Sequence, residues 1–303
     1  MKGIIRAGGR STRLYPSSRA VSKLLFPVYD KPAIYYPLSL LIMTGVTEIL
    51  INVLEKDYQA FYELLGDGSR FGISISYLLL NDGPISLPET LMRSKTFIGK
   101  ESIAIALGDN IFFGENLYQK LQDAVELFQK RNGATLFYKT VDDPRDYGVL
   151  EFDSNNKICS IESNPSNPKS NYAVTGLFFF KPDIFETIEK TKVSQGGSVS
   201  FLGMLRQYIK EDRLYSENLD DSIQWFDVGT PERLYLACSA VRDFQSSHTT
   251  YVGSVEEAAL KRGLIDSNQL LKLAKEIKHN AYGRYLVELA VKTELYKYIS
   301  TKN

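Results

Sequence analysis

Gly3-Ile4-Ile5-Arg6-Ala7-Gly8-Gly9-Arg10-Ser11-Thr12-Arg13-Leu14 is the stretch on which the fold turns. Its first five residues form a short apolar run with strand character. The run empties into two glycines, followed by basic and hydroxyl side chains. A strand that ends this way turns its backbone N–H groups toward one point, a geometry suited to cradling phosphate. The spacing is neither the dinucleotide-binding G-x-G-x-x-G nor a Walker A loop, which needs G-K-[ST]. A tight turn with solvated arginines accommodates the same residues, so the stretch alone leaves both readings open.

Working outward, strand-like and helix-like runs alternate through the first 140 residues. Ile34–Thr44 reads as a helix closed by Gly45, Glu48–Leu54 as a strand and Tyr58–Leu65 as a helix. Ile73–Leu80 and the wholly apolar Ser102–Leu107 read as strands. Leu117–Phe128 has a helical apolar period, and Ala134–Thr140 returns to strand. This alternation predicts a Rossmann-like α/β core with a mixed, mostly parallel sheet and helices on both faces. In such sheets ligands bind beyond the carboxyl ends of the strands. From Tyr147 to Phe180 the pattern becomes β-rich, which suggests a second, smaller sheet. After Pro231 the chain reads as helical, so the expected organisation is a core over residues 1–230 and a helical region over 231–303. Val287, Val291, Leu295 and Tyr298 recur at helical spacing, as in a core or interface stripe.

The 303 residues carry 36 Lys+Arg against 36 Asp+Glu, and that balance argues against a general nucleic-acid binder. An apolar share of 44% suffices for a sizeable core. Cys159 and Cys238 are too few for a disulfide framework and read as buried reduced thiols. The opening residues do not resemble a secretory leader, and no run is long enough to span a bilayer. A cytoplasmic protein with no membrane partner is expected.

Asp109 follows the apolar strand in Leu-Gly-Asp-Asn, and Asp227 follows Gln224-Trp225-Phe226. A carboxylate just past a buried strand is well placed to hold Mg²⁺ on a triphosphate, because Mg²⁺ prefers one or two carboxylates plus phosphate oxygens. Each, taken alone, is more often a helix cap or turn residue. Lys23, alone, reads as a surface lysine.

Taken together, AGG…TRLYP, VSK, PVYDKPAIYYPLS, LGDNIFFG, DPRDYGVLEFD, PKSNYAVTGLFFF, WFDVGT and GSVEEAALKRGLID resemble the sugar-1-phosphate nucleotidylyltransferases. The likeness is greatest to the glucose-1-phosphate thymidylyltransferase branch and covers nearly the whole chain. It implies an enzyme of dTDP-sugar biosynthesis that joins a nucleoside triphosphate to a sugar 1-phosphate, releases pyrophosphate, uses Mg²⁺ and assembles as a homotetramer. It also implies site roles. Arg13 and Lys23 match the catalytic triphosphate-binding cations, and Asp109 and Asp227 the metal-binding carboxylates. Gly8, Gly9, Ser11, Thr12, Leu24, Leu80 and Gly83 fall at nucleotide positions. Tyr147, Gly148, Glu162, Asn164 and Val174 fall in the sugar pocket.

The departures from the family pattern cluster at ligand positions. Ser11 replaces the third loop glycine, Arg10 precedes it, and Arg6 stands where an apolar residue is usual. Leu24 and Leu80 replace the amides that read the base. In the sugar half, Glu162-Ser163-Asn164-Pro165 lacks a carboxylate and the phosphate-binding lysine, and Gly196–Gly203 lacks an arginine and two glutamates. Each hydrogen bond to a charged group is worth roughly 1.5–3 kcal/mol. Losing two cations weakens a phosphate contact by roughly 10²- to 10⁴-fold. The resulting expectation is an impaired or inactive homologue (a pseudoenzyme). It would act as a binding or regulatory subunit, as a homo-oligomer or as a hetero-oligomer with an active thymidylyltransferase. Altered nucleotide or sugar specificity, or ordinary dTDP-glucose synthesis, are the alternatives. The family's second nucleotide-sugar site is matched by Gly253–Glu257 and Lys261-Arg262, but Asn218–Asp221 lacks its usual arginine, so that site is expected to be modified or vacant.

Overall fold

The computed structural model describes residues 1–9, 11–81, 86–194 and 199–300. In chain order its strands are β1 (Lys2–Arg6), β2 (Pro27–Val28), β3 (Lys31–Pro32), β4 (Glu48–Leu54), β5 (Ser74–Leu80), β6 (Ile103–Leu107), β7 (Asn110–Phe113), β8 (Ala134–Thr140), β9 (Gly148–Phe152), β10 (Ile158–Ser163), β11 (Tyr172–Phe180), β12 (Leu214–Asn218) and β13 (Gln224–Asp227). The helices are α1 (Tyr35–Met43), α2 (Tyr58–Leu65), α3 (Leu87–Arg93), α4 (Lys95–Ile98), α5 (Leu117–Lys130), α6 (Ile184–Ser194), α7 (Phe201–Lys210), α8 (Pro231–Ser247), α9 (Val255–Lys261), α10 (Ser267–Glu276) and α11 (Ala281–Ser300).

The main sheet runs β10-β9-β11-β6-β1-β4-β5, with β8 beside β11 and β12 beside β8. Around β1 the ladder is parallel, with Ile4 opposite Leu50 on one side and Ile105 on the other. Around β11 it is antiparallel, with Phe178 opposite Ile105 of β6 and Leu136 of β8. Both faces are covered, which is why the central strands are apolar on both sides. Ile5, Ile49, Ile51 and Ala104 face a core built with α1 and α5. Ile4, Ile103 and Ile105 face another built with α3, α6 and α7. Helix α5 presents Leu117, Leu121, Ala124 and Phe128 inward, the face its period predicts.

Small sheets are present, but not where the β-rich stretch suggested. Strands β9, β10 and β11 extend the main sheet, while β7 pairs with β13 and β2 with β3. The β7–β13 ladder joins residues more than a hundred positions apart, a pairing that local pattern does not encode. Both cysteines are free, as expected, but not buried: Cys159 is exposed on edge strand β10, and Cys238 is only partly buried on α8. On α11, Val287 packs against the core while Val291, Leu295 and Tyr298 are exposed, so within one chain only the start of the stripe is core. Among the described residues no helix is long and apolar enough to cross a membrane.

Candidate active site

Three strand ends build the site. Strand β1 runs out at Arg6 into the loop, where the Ala7 N–H donates to the Asn52 carbonyl at 2.9 Å. Ser11 then takes a left-handed backbone (φ 52°) before the short 3₁₀ turn Thr12–Leu14. The shape a glycine would adopt is therefore kept by a residue that pays a steric cost for it. The loop is pinned from behind by Ser18, whose hydroxyl donates to the Ser11 carbonyl at 2.7 Å.

Strand β6 ends at Leu107 and delivers Gly108-Asp109. The Lys23 ammonium forms an ion pair with Asp109. Burial pushes the Asp109 carboxyl up, but the Lys23 charge and hydrogen bond, with the Asn110 amide, overcome this and hold it below the usual carboxylate range. Strand β13 delivers Asp227 alongside. Asp227 lies in register with Asn110, and the Val228 N–H donates to the Asp109 carbonyl at 2.9 Å. Burial and the neighbouring Asp109 charge push the Asp227 carboxyl up, against Lys23, Arg233 and Arg13. Gly229 leaves the room in which Arg13 and Asp227 converge. A Cβ there would meet Arg13 Nη2 at 2.6 Å and Asp227 Oδ1 at 2.8 Å. Arg6, beside Asp109, has its guanidinium pKa lowered by burial, partly offset by that carboxylate. Two neighbouring carboxylates flanked by Lys23, Arg13 and Arg233 suit Mg²⁺ carried on a polyphosphate. Among the described residues no group of three or more His, Cys, Asp or Glu could hold a metal by itself.

Leu24 and Leu80 are 1% and 3% exposed. Leu24 Cδ1 lies where a Cβ on Gly108 would stand (2.2 Å), and Leu80 Cδ1 where one on Gly8 would stand (2.6 Å). The spaces over both glycines are thus filled by aliphatic carbon. Beside the loop lies a cavity of about 510 Å³ whose walls include Gly9, Ser11, Thr12, Arg19, Lys56 and Asp57, but not Asp109 or Asp227. Gly83, Arg10 and Gly196–Ser198 fall outside the described residues.

The sugar-side residues gather on β9 and its neighbours. Gly148 lies opposite Ser163 and Val174, and Glu162 opposite Val149. Asn164 adopts φ 48° and its N–H donates to the Tyr147 carbonyl at 2.8 Å. Near Glu162 the available cation is Lys169, 3.7 Å away, though it sits closer to Glu151. The Tyr147 ring packs 4.9 Å from Trp225, whose indole N–H donates to Asn110 Oδ1 at 2.6 Å. The same oxygen accepts from the Gly176 N–H at 2.9 Å. Asn110 therefore ties β7, β11 and β13 together, and its amide donates to Asp109 Oδ1 at 3.2 Å.

Sequence reasoning did not single out Arg233. Its Nη1 lies 3.2 Å from Asp227 Oδ2, its Nη2 pairs with Asp146, and its guanidinium covers the Tyr147 ring at 5.2 Å. One signal could have found it. Thr230-Pro231 is a helix start, and an arginine two residues on sits in a first turn, where the helix dipole disfavours a cation.

Comparison with known proteins agrees with this geometry. The family described as nucleotidyl transferase matches residues 2–243. The chain is 41% identical to glucose-1-phosphate thymidylyltransferase of Neisseria meningitidis over 292 residues, 96% of this chain and all of the relative. It is also 41% identical to the Mycolicibacterium smegmatis enzyme of that name over 289 residues, 95% of this chain and 99% of the relative. A crystal structure of a Bacillus anthracis chain in complex with sucrose superimposes with a TM-score of 0.73 at 33% identity, covering 80% of this chain and 96% of that one. A chain solved with UDP-glucose, a UDP-glucose pyrophosphorylase, shares the fold at a TM-score of 0.69. This chain belongs to the nucleotidyl transferase family and is a homologue of its glucose-1-phosphate thymidylyltransferases.

Proposed function

We propose that this homologue binds a nucleotide in the loop half of its cleft but turns it over poorly, and serves as a binding or regulatory subunit of dTDP-sugar synthesis. The observation that carries this reading is the burial of Leu24 and Leu80 over Gly108 and Gly8. A site selects a ligand strongly when its own buried polar groups need the ligand's hydrogen bonds. Aliphatic side chains at both positions offer none. They leave phosphate contacts to supply affinity without base selectivity.

The chain's own groups still divide the work of holding a triphosphate. The N–H groups of the Gly8-Gly9 loop face the phosphates, and Arg13 and Lys23 supply positive charge. A magnesium ion, held by Asp109 and Asp227 together with phosphate oxygens, would supply charge neutralisation on the triphosphate. On the sugar side the lysine expected at Asn164 and the arginine expected within Gly196–Gly203 are missing, and positioning, which supplies much of the rate in phosphoryl transfer, is lost with them.

A second reading, an active nucleotidylyltransferase with altered substrates, is favoured by the convergence of Arg13, Lys23, Asp109 and Asp227. Calorimetric titration with dTTP, dATP, dCTP and UTP separates the two. The proposed reading predicts binding with less than about tenfold preference among bases, because neither leucine reads a base edge by hydrogen bonding. A preference of a hundredfold or more for one base supports the second reading instead. Capture of an active thymidylyltransferase in a pull-down supports the subunit role.

The exposed side chains Val291, Leu295 and Ile299 of α11 are proposed to be covered in a homo- or hetero-oligomer. Where α9 meets β7, the cavity lined by Gly253, Ser254, Glu257 and Lys261 has only about 170 Å³. The Lys261 ammonium in it is paired with Glu257 at 2.7 Å. Ligand pockets usually offer roughly 300–1,000 Å³. A cavity of about 510 Å³ shares Tyr251 and Glu257 with it, and we take this second site as modified.

A further inference from the structure

We infer that Arg233 is an internal counter-ion of Asp227, which it holds against divalent metal. This rests on the nucleotide-binding reading of the cleft and adds a control over its metal affinity. Arg233 sits in the first turn of α8, where Thr230 caps the helix by accepting from the Arg233 N–H at 3.3 Å. A cation there faces the positive end of the helix dipole, so its position must be stabilised from outside the helix. The stabilising groups are all within the cleft. They are Asp227 of β13 at 3.2 Å, Asp146 on the loop before β9, and the face of Tyr147. The guanidinium therefore bridges the nucleotide half to the sugar half.

The arrangement has a consequence for charge. Asp109 is already paired with Lys23, and Asp227 with Arg233. Both carboxylates of the candidate metal pair are neutralised by the chain itself. A divalent ion gains Asp227 only by displacing one charge-assisted hydrogen bond, each worth roughly tenfold or more in affinity. The Arg233 side chain is 24% exposed, so it has solvent to move into when displaced, and the competition is reversible.

The test is calorimetric titration of Mn²⁺, a spectroscopically visible substitute for Mg²⁺, into the full chain without nucleotide. Arg233→Met removes the charge at similar length. Arg233→Gln keeps hydrogen-bonding capacity toward the carboxylates without the charge, and remains readable should the methionine variant fail to fold. The expected result is Mn²⁺ binding at least tenfold tighter in the variants than in the unaltered chain. The gain should disappear when Asp227→Asn is added. Equal or weaker Mn²⁺ binding in the folded variants overturns the inference and leaves Arg233 a structural clamp. A parallel dTTP titration of the unaltered chain keeps the two readings apart. Failure to bind dTTP defeats the nucleotide reading, while the Mn²⁺ comparison still decides the role of Arg233.

Discussion

Leu24 and Leu80 are the residues at which chemistry and packing part company. As packing they are ordinary: both are buried and each covers a glycine. As chemistry they offer a base edge no hydrogen bond. Leu24→Gln buries an amide among apolar atoms and should cost about 1–3 kcal/mol of stability. If a base lies against this position, dTTP should raise the thermal midpoint of Leu24→Gln more than that of the unaltered chain. An equal shift in both would place the base elsewhere. Ser11 makes the complementary point. Its left-handed backbone is one an L-residue adopts at a cost, so Ser11→Gly should stabilise the fold by up to about 1 kcal/mol, read as a higher thermal midpoint. A lower midpoint would mean that the Ser11 hydroxyl contributes more than the strain costs. These substitutions were legible in the sequence only because the surrounding motifs fixed which position each residue occupies. That Ser11 preserves the loop backbone, rather than disrupting it, needed the dihedral angle.

At the scale of elements, the local ones were readable and the non-local ones were not. Strand β4, helix α2 and strand β8 fall where period and breaker residues put them, because each is specified by its own residues. The β7–β13 ladder is not of that kind. Neither four-residue strand is stable alone, and what secures them is Asn110, 5% exposed, accepting from both Gly176 and Trp225. Asn110→Ala would leave those donors without their acceptor and should cost about 2–4 kcal/mol in urea unfolding. Asn110→Asp keeps the acceptor oxygen but adds charge beside Asp109 and Asp227. A neutral effect of the alanine variant would show that the ladder does not depend on this bond. Arg233 escaped notice for the same reason. Its partners come from β13 and from the loop before β9, and only their meeting gives the arginine a role.

The whole molecule joins the catalytic-type core to the late helices through a buried polar cluster. Glu256, 5% exposed on α9, accepts the Tyr282 hydroxyl of α11. Lys31, 2% exposed, lies over the rings of Tyr251 and Tyr282 at 5.0 and 4.5 Å. Burial pushes the Glu256 carboxyl up, despite the Tyr282 hydrogen bond and the Lys31 charge. An acid raised on folding favours the protonated form. Its stabilising contribution is full below the unfolded value of about 4.5 and is lost as pH rises through the raised native value. Glu256→Gln should therefore flatten the fall in urea midpoint above that pH. An unchanged profile would assign the pH dependence to other groups. If exposed Leu295 of α11 is covered in an oligomer, as proposed, Leu295→Lys should give a smaller species in sedimentation. An unaltered size distribution would remove α11 from the interface.

The overall architecture was accessible because main-sheet strands such as β1, β4, β5, β6 and β8, and the late helices, carry their own pattern, whereas catalytic competence is set by a few side chains on an intact scaffold. The most direct measurement of the central claim is therefore turnover. Pyrophosphate release from dTTP and glucose 1-phosphate with Mg²⁺ would be compared with that of the Neisseria meningitidis relative, 41% identical, under the same conditions. Loss of two phosphate-binding cations predicts a kcat/KM at least about a hundredfold lower. A value equal to the relative's would contradict the account and return the chain to ordinary dTDP-glucose synthesis.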